Sequence, residues 1–173
     1  MEILSLSLSS LKIKGKHTAV VLNPDSSIRG KAAGDAILSF PSISVDTSKV
    51  EEWRVYLRGV GEYEVGGIKI SGVKNDKHFV YKLFIDGMSV ACTAADSVEG
   101  LRDVLSGQQI LILSVSDKID MSFVATLEPN VVILYGEKAG KIPQNDDIIK
   151  ASKFSITREK LPEKMETVIL ASS

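Results

Sequence analysis

The chain of 173 residues holds only two histidines, His17 and His78, and a single cysteine, Cys92. One thiol cannot close an internal disulfide, and a cysteine-rich metal cluster is excluded. A free cysteine is most often a small buried hydrophobe. Cys92 ends the apolar run Val90-Ala91-Cys92, so burial is its expected fate, with a reactive thiol as the weaker alternative. Positive charge is not in excess: 21 basic residues stand against 22 acidic ones, for a net charge of −1. Nucleic-acid binders draw most of their affinity from a basic excess, so nucleic acid is not an expected partner. No apolar run approaches the ~20 residues that span a bilayer, so no membrane association is expected. The opening Met1-Glu2-Ile3-Leu4-Ser5-Leu6 lacks the basic region of a signal peptide and alternates like a strand. No Asn-x-Ser/Thr sequon occurs. Together these absences point to the cytoplasm.

What is present is an ordinary globular composition, 44% hydrophobic and 25% charged. It is far from the signature of disorder and able to bury a sizeable core. The length suits one domain over residues 1–173, with no repeat, low-complexity tract or interior linker.

The first half reads as short strands. Leu11-Lys12-Ile13-Lys14 alternates strictly, as a half-buried strand does. Gly15-Lys16 turns into Thr18 to Leu22, a hairpin pattern, and Asn23-Pro24-Asp25-Ser26-Ser27 has the chemistry of a loop. Ala36 to Phe40 is a strand stopped by Pro41, and residues 45–52 have room for a helical turn. Short strands split by glycines follow through Ser71. Phe79 to Ile85 alternates and leads through Asp86-Gly87, a strong hairpin turn, into Met88 to Ala91. The pattern then changes. A helix capped by Asp96 or Ser97 is expected to carry Val98, Leu101, Val104 and Leu105 and to end at Gly107. Ile110 to Leu113 and Val131 to Tyr135 read as buried strands, with a second helix between them near Ile119 to Leu127. Gly136 to Pro143 reads as a loop, Asp146 to Lys150 as a short turn, and Phe154 to Thr157 and Thr167 to Leu170 as closing strands. Meanders followed by helix–strand alternation predict an α/β sandwich, mixed and mostly antiparallel, with helices on its outer faces.

Gly61-Glu62-Tyr63-Glu64-Val65-Gly66-Gly67 resembles a glycine-rich hairpin of small hydrolases with the metallo-β-lactamase fold, of the ascorbate-6-phosphate lactonase type. Val20 to Pro24 resembles their strand ending in Asp-Pro, and Asp86-Gly87-Met88-Ser89-Val90 their strand leading to a central metal ligand. Leu127-Glu128-Pro129-Asn130-Val131 and Leu161-Pro162-Glu163 are similar to later parts of that frame. The resemblance runs nearly the full length and implies a reduced αββα sandwich. It also implies where a catalytic metal would bind, and there the chain departs from the pattern.

The family's His-x-His-x-Asp-His motif follows the strand written here as Ala36 to Phe40. Its imidazoles hold a metal that lowers the pKa of bound water to about 7. This chain has Phe40-Pro41-Ser42-Ile43-Ser44-Val45-Asp46, with Ser44 or Asp46 in the acidic slot and no histidine. The next ligand position falls at Cys92, the following carboxylate near Ala94-Ala95 with Asp96 one residue late, and the last histidine near Gly136. The Asp of Asp-Pro is Asn23, and an early loop histidine falls at Leu8. The resemblance therefore implies a vestigial cleft at Phe40, Ser42, Ser44, Asp46, Cys92, Asp96 and Gly136. No catalytic residue, metal ligand or cofactor is expected.

Other constellations are weak. His17 and His78 are not at ligand spacing and read as turn histidines. No Gly-x-Ser-x-Gly elbow supports a serine hydrolase. Gly59-Val60-Gly61 lacks the third glycine and the following helix of a dinucleotide fingerprint. Asp25, Asp35, Asp46, Asp96 and Asp117 lie near strand ends, where carboxylates either bind a hard cation or simply cap loops. Lys12, Lys14 and Lys16 share one strand face, where lysines discourage edge aggregation. Trp53 and Tyr56 are candidates for core packing or for anchoring a partner. The expected role is a non-catalytic binding, scaffold or regulatory module, with a protein partner or a second copy of the chain as its company. The alternative is a metal-dependent hydrolase of lactonase, phosphodiesterase or esterase type with a relocated metal site.

Overall fold

The computed structural model describes residues 1–142 and 148–171. The strands run in chain order β1 Glu2–Ser5, β2 Leu11–Lys14, β3 Ala19–Leu22, β4 Ala32–Ala33, β5 Ala36–Ser39, β6 Val50–Glu51, β7 Val55–Arg58 and β8 Gly61–Val65. They continue as β9 Ile68–Asn75, β10 His78–Ile85, β11 Met88–Ala94, β12 Ile110–Ser114, β13 Val131–Tyr135, β14 Ile148–Ala151, β15 Lys153–Ser155 and β16 Glu166–Leu170. Among the described residues, two short α-helices, α1 Arg102–Leu105 and α2 Met121–Ala125, interrupt the later strands.

The strands build two main sheets. One is six-stranded, in the order β15-β1-β2-β3-β5-β7, and the other eight-stranded, in the order β14-β16-β13-β12-β11-β10-β9-β8. Alternation decides which face each side chain takes. Ile3, Leu11, Ile13, Val20, Leu22, Ala36, Leu38 and Leu57 point from the smaller sheet into the space between the two. Ile70, Tyr81, Leu83, Val90, Ile112, Ile133 and Val168 answer from the larger one, forming the central core of a sandwich.

β13 is buried along its whole length, and β12 at every residue but the half-buried Ser114, because their outer faces are covered as well. Leu111, Leu113, Val132 and Leu134 pack under Val98, Leu101, Leu105, Val124 and Leu127. These covering segments are crossovers, which makes the β11–β12, β12–β13 and β13–β16 pairs parallel. The parallel share is therefore larger than a hairpin-rich sequence suggests. On the smaller sheet, Val21 and Ile37 are covered by Ala32, Val50 and Leu6, which come from the parallel β4–β6 ribbon and a loop instead of a helix.

Local chemistry explains the details. Asp86 and Gly87 both adopt positive φ, 52° and 79°, as a tight primed turn between β10 and β11 requires. The helix expected from Asp96 to Gly107 is instead two 3₁₀ turns followed by α1, without a side-chain N-cap. Gly100 within it lowers helix propensity, and its carbonyl is taken by the Asn75 side chain at 2.8 Å. α2 does start on a side-chain cap: the Asp120 carboxylate accepts from the Ser122 and Phe123 amides. Ile148 to Lys150, expected as a turn, is part of β14 because it finds a parallel partner in β16. Pro143, Asp146 and Asp147, in the expected loop and turn, lie outside the described residues.

Candidate functional site

One end of the sandwich gathers the chain segments that follow β5 and β11 and the hairpin tip between β9 and β10. They enclose a cleft of about 530 Å³, lined by Phe40, Pro41 and Ser42, by Lys74, Lys77, His78 and Phe79, and by Ala94, Asp96 and Ser97.

The floor is aromatic. The Phe40 ring stacks on Tyr81 with centroids 6.2 Å apart and planes 19° from parallel. Phe79 meets Tyr81 edge-on at 4.8 Å and Phe40 at 6.2 Å. Such arrangements add to the gain from burying the rings. The backbone of Phe40 is fixed as well, because its amide donates to Asn23 Oδ1 at 2.9 Å. Asn23 is buried at a positive φ of 48° and receives the Ser10 hydroxyl on its carbonyl. The Tyr81 hydroxyl contacts the Ser39 and Leu57 carbonyls at 3.0 Å each and accepts from the Gly59 amide at 3.2 Å. Burial pushes its pKa up to about 12, the Gly59 amide opposing, so it stays a neutral donor at physiological pH.

The rim is cationic. Lys74 and Lys77 are exposed, and neither forms an ion pair with a described residue. His78 lies between rim and wall. Its ring occupies the space where a Cβ on Gly100 would sit, 2.2 Å from Cδ2, so the histidine depends on the glycine. Asp96 is exposed on the opposite wall, with Ser97 Oγ at 3.3 Å from Oδ1. Lys74 and Lys77 escape sequence reasoning because their convergence with Ser42 depends on how far the β9–β10 hairpin overhangs the smaller sheet. The basic cluster Lys74-x-x-Lys77-His78 at a turn is the one local signal.

The seven vestigial positions do not share one site. Phe40, Ser42 and Asp96 line the cleft. Ser44 is exposed outside its lining, and Asp46 caps a 3₁₀ turn by accepting from the Ser48 amide and hydroxyl at 3.1 and 2.6 Å. Cys92 is 0% exposed in the central core, where burial pushes its thiol pKa far up. Beside it, Tyr135 is fully buried, and burial pushes its hydroxyl pKa far up, with Ser114 and Asn23 opposing. Gly136 has φ +110°, and a Cβ there would come within 2.8 Å of the Val115 carbonyl oxygen. No side chain fits at that place.

The remaining candidates are held elsewhere. His17 is exposed in the β2–β3 turn. Asp25 accepts the hydroxyls of Ser7 (2.6 Å), Ser10 (2.9 Å), Ser9 and Ser27 and the amide of Ser27 at 2.8 Å. Partial burial opposes its ionisation, but the bonds from Ser27, Ser7 and Ser9 outweigh this and hold the carboxyl well below the usual range. Asp35 takes the Ala19 amide at 2.9 Å and Arg54 at 2.7 Å, and Asp117 pairs with Lys138 at 2.9 Å.

No protein-family model matches the chain, and no curated protein matches it. Solved structures do. One, described as a Zn-dependent hydrolase of the metallo-β-lactamase superfamily from Thermotoga maritima, aligns with a TM-score of 0.72 over 98% of both chains at 15% identity. A second, described as a metal-dependent hydrolase from Parabacteroides distasonis, gives 0.57 at 16% identity over 77% of this chain and 80% of its own. A diphosphatase of the PhnP family gives 0.50 at 14% identity over 73% of this chain and 71% of its own. The chain has the metallo-β-lactamase fold.

That fold family implies a metal, and the donor chemistry here does not fit one. The positions that the sequence resemblance assigns to metal ligands hold a stacked phenylalanine, a core cysteine whose thiol burial keeps protonated, and a glycine closed to any side chain. Among the described residues, no three of His, Cys, Asp and Glu converge into a ligand set. Also among them, no helix is long and apolar enough to cross a membrane.

Proposed function

We infer that the chain is a non-catalytic binding module on a metallo-β-lactamase frame, using the cleft at the end of the sandwich for a small anionic ligand. The stacking of Phe40 on Tyr81 carries this reading, because an apolar ring held by two neighbours occupies the position to which the sequence resemblance assigns the start of the metal motif. Above that floor, the ammonium groups of Lys74 and Lys77 and the Ser42 hydroxyl face a ligand, while Asp96 disfavours anions that reach the far wall. Phosphate esters with a small apolar group suit this combination: the phosphate meets the lysines, and the apolar part lies against the small accessible remainder of Phe40 and Phe79, 6% and 9% exposed.

The test is titration calorimetry of the full chain with 4-nitrophenyl phosphate and with inorganic phosphate, alongside a hydrolase panel with added Zn²⁺ and Mn²⁺. Saturable binding without turnover is expected. Turnover abolished by EDTA would overturn the reading.

A relocated metal-dependent hydrolase is the second reading. Its one supporting observation is that His78 and Asp96 line the same cleft. It requires metal-dependent turnover that His78→Ala removes.

A further inference from the structure

The two sheets end side by side at their β7 and β8 edges, joined by the short crossing Gly59-Val60. This side is unusually apolar. Of the seven large hydrophobic residues exposed in the described chain, four fall here: Trp53, Tyr56, Val60 and Tyr63, with Val60 65% exposed. An apolar cluster at one place on a surface marks an interaction site more often than scattered residues do. Between the two edges lies a groove of about 320 Å³, with Arg54 and Val55 on the β7 side and Tyr63, Glu64 and Val65 on the β8 side.

The β8 edge is also open to pairing. The two-residue turn Gly66-Gly67 sets Val65 opposite Ile68, so Val65, Tyr63 and Gly61 bond to β9. The N–H and C=O groups of Glu62 and Glu64 then point outward. Neither β7 nor β8 carries the proline or lysine that commonly blocks an edge.

Charge selects the occupant. The β7 side presents Arg54 and Arg58, and the β8 side presents Glu62 and Glu64, all exposed. Neither glutamate forms an ion pair with a described residue, whereas Arg54 also pairs with Asp35 at 2.7 Å and Arg58 also donates to the Pro41 carbonyl at 2.7 Å, so each arginine would share its guanidinium with the partner's glutamates. Cationic and acidic stripes on neighbouring edges of one molecule are self-complementary. A two-fold axis along the strands, midway between the sheets, sets β7 of one copy against β8 of the other, and the reverse. Each arginine stripe then meets a glutamate stripe, the open β8 edge gains a neighbour, and Val60 and Tyr63 leave water.

We propose that the β7–β8 side is a two-fold interface with a second copy of this chain, built from Trp53, Tyr56, Val60 and Tyr63 and registered by Arg54 and Arg58 against Glu62 and Glu64. It is independent of what the cleft binds.

Sedimentation equilibrium of the full chain tests it. The expected species has twice the 18.7 kDa chain mass and dissociates on dilution and at high salt. Val60→Asp and Arg58→Glu each shift it to monomer while circular dichroism and melting confirm the fold. Combining Arg54→Glu and Arg58→Glu with Glu62→Arg and Glu64→Arg restores the dimer, because both stripes have then exchanged sign. A monomer at every concentration, as expected if a different protein covers this side, overturns the proposal. So does a dimer indifferent to Val60→Asp, or a folded charge-exchanged variant that stays monomeric.

Discussion

The Tyr81 ring lies nearly parallel to that of Phe40, 6.2 Å away, while its hydroxyl ties the ends of β5 and β7 through the Ser39 and Leu57 carbonyls. The pair closes the end of the sandwich with an aromatic plug and a hydrogen-bonded clasp. Removing the Phe40 ring leaves a cavity beside Tyr81 and Phe79. Phe40→Ala is expected to cost about 3–5 kcal/mol, read as a lower urea midpoint at unchanged slope. A loss below about 1 kcal/mol would mean that the ring is not packed as described.

Gly136 makes a second, sharper case. Its φ of +110° and the 2.8 Å approach of a Cβ to the Val115 carbonyl both oppose any side chain. Gly136→Ala is expected to destabilise by about 2–4 kcal/mol through strain and overpacking. Gly136→His, which puts an imidazole at the position the sequence resemblance assigns to one, is expected to cost more and to gain no metal. Thermal melts with and without Zn²⁺ read both effects.

Cys92 is expected to resist thiol reagents in the native protein. The thiolate is the reactive form, and burial pushes the thiol pKa up as well as blocking access. Labelling by Ellman's reagent should follow global unfolding and accelerate with denaturant. Rapid stoichiometric labelling without denaturant would contradict the core placement.

Asp25 ties the loop after β3 to the serines after β1. Its folded pKa is depressed, so its contribution to stability is complete above the unfolded value of about 3.9 and is lost as pH falls through the folded value. Stability should therefore start to fall below about pH 5 and go on falling towards the depressed folded value, more steeply in the wild type than in Asp25→Asn. At neutral pH, Asp25→Ala is expected to cost about 1–3 kcal/mol. Urea midpoints across pH for both chains check the sign.

The strands were legible because alternation and turn chemistry are local. Leu11 to Lys14, Phe79 to Ile85 and the Asp86-Gly87 turn are examples. So was the burial of Cys92, from the apolar run that contains it. The helix expected from Asp96 to Gly107 was not, because Gly100 yields its carbonyl to Asn75 and its missing Cβ to the His78 ring, contacts set by a distant hairpin. The β4–β6 ribbon, two residues per strand, carries no periodic signal. The absence of histidine from Phe40 to Asp46 could be read along the chain, but the cationic rim of Lys74 and Lys77 comes only from tertiary placement.

That placement yields a test of the cleft. Lys74→Ala with Lys77→Ala is expected to weaken 4-nitrophenyl phosphate binding tenfold or more, about 1.4 kcal/mol or above. Gly100→Ala, which displaces the His78 ring, is expected to weaken it less, with little change in melting temperature. Unchanged affinity in the double variant would place the ligand elsewhere.

The central claim is that this frame holds no catalytic metal, and elemental analysis tests it most directly. The full chain, incubated with excess Zn²⁺, Mn²⁺ and Fe²⁺ in turn and then desalted, is expected to carry far less than one metal ion per chain. A stoichiometric ion that survives desalting, and is lost in His78→Ala or with Asp96→Ala, would contradict the account.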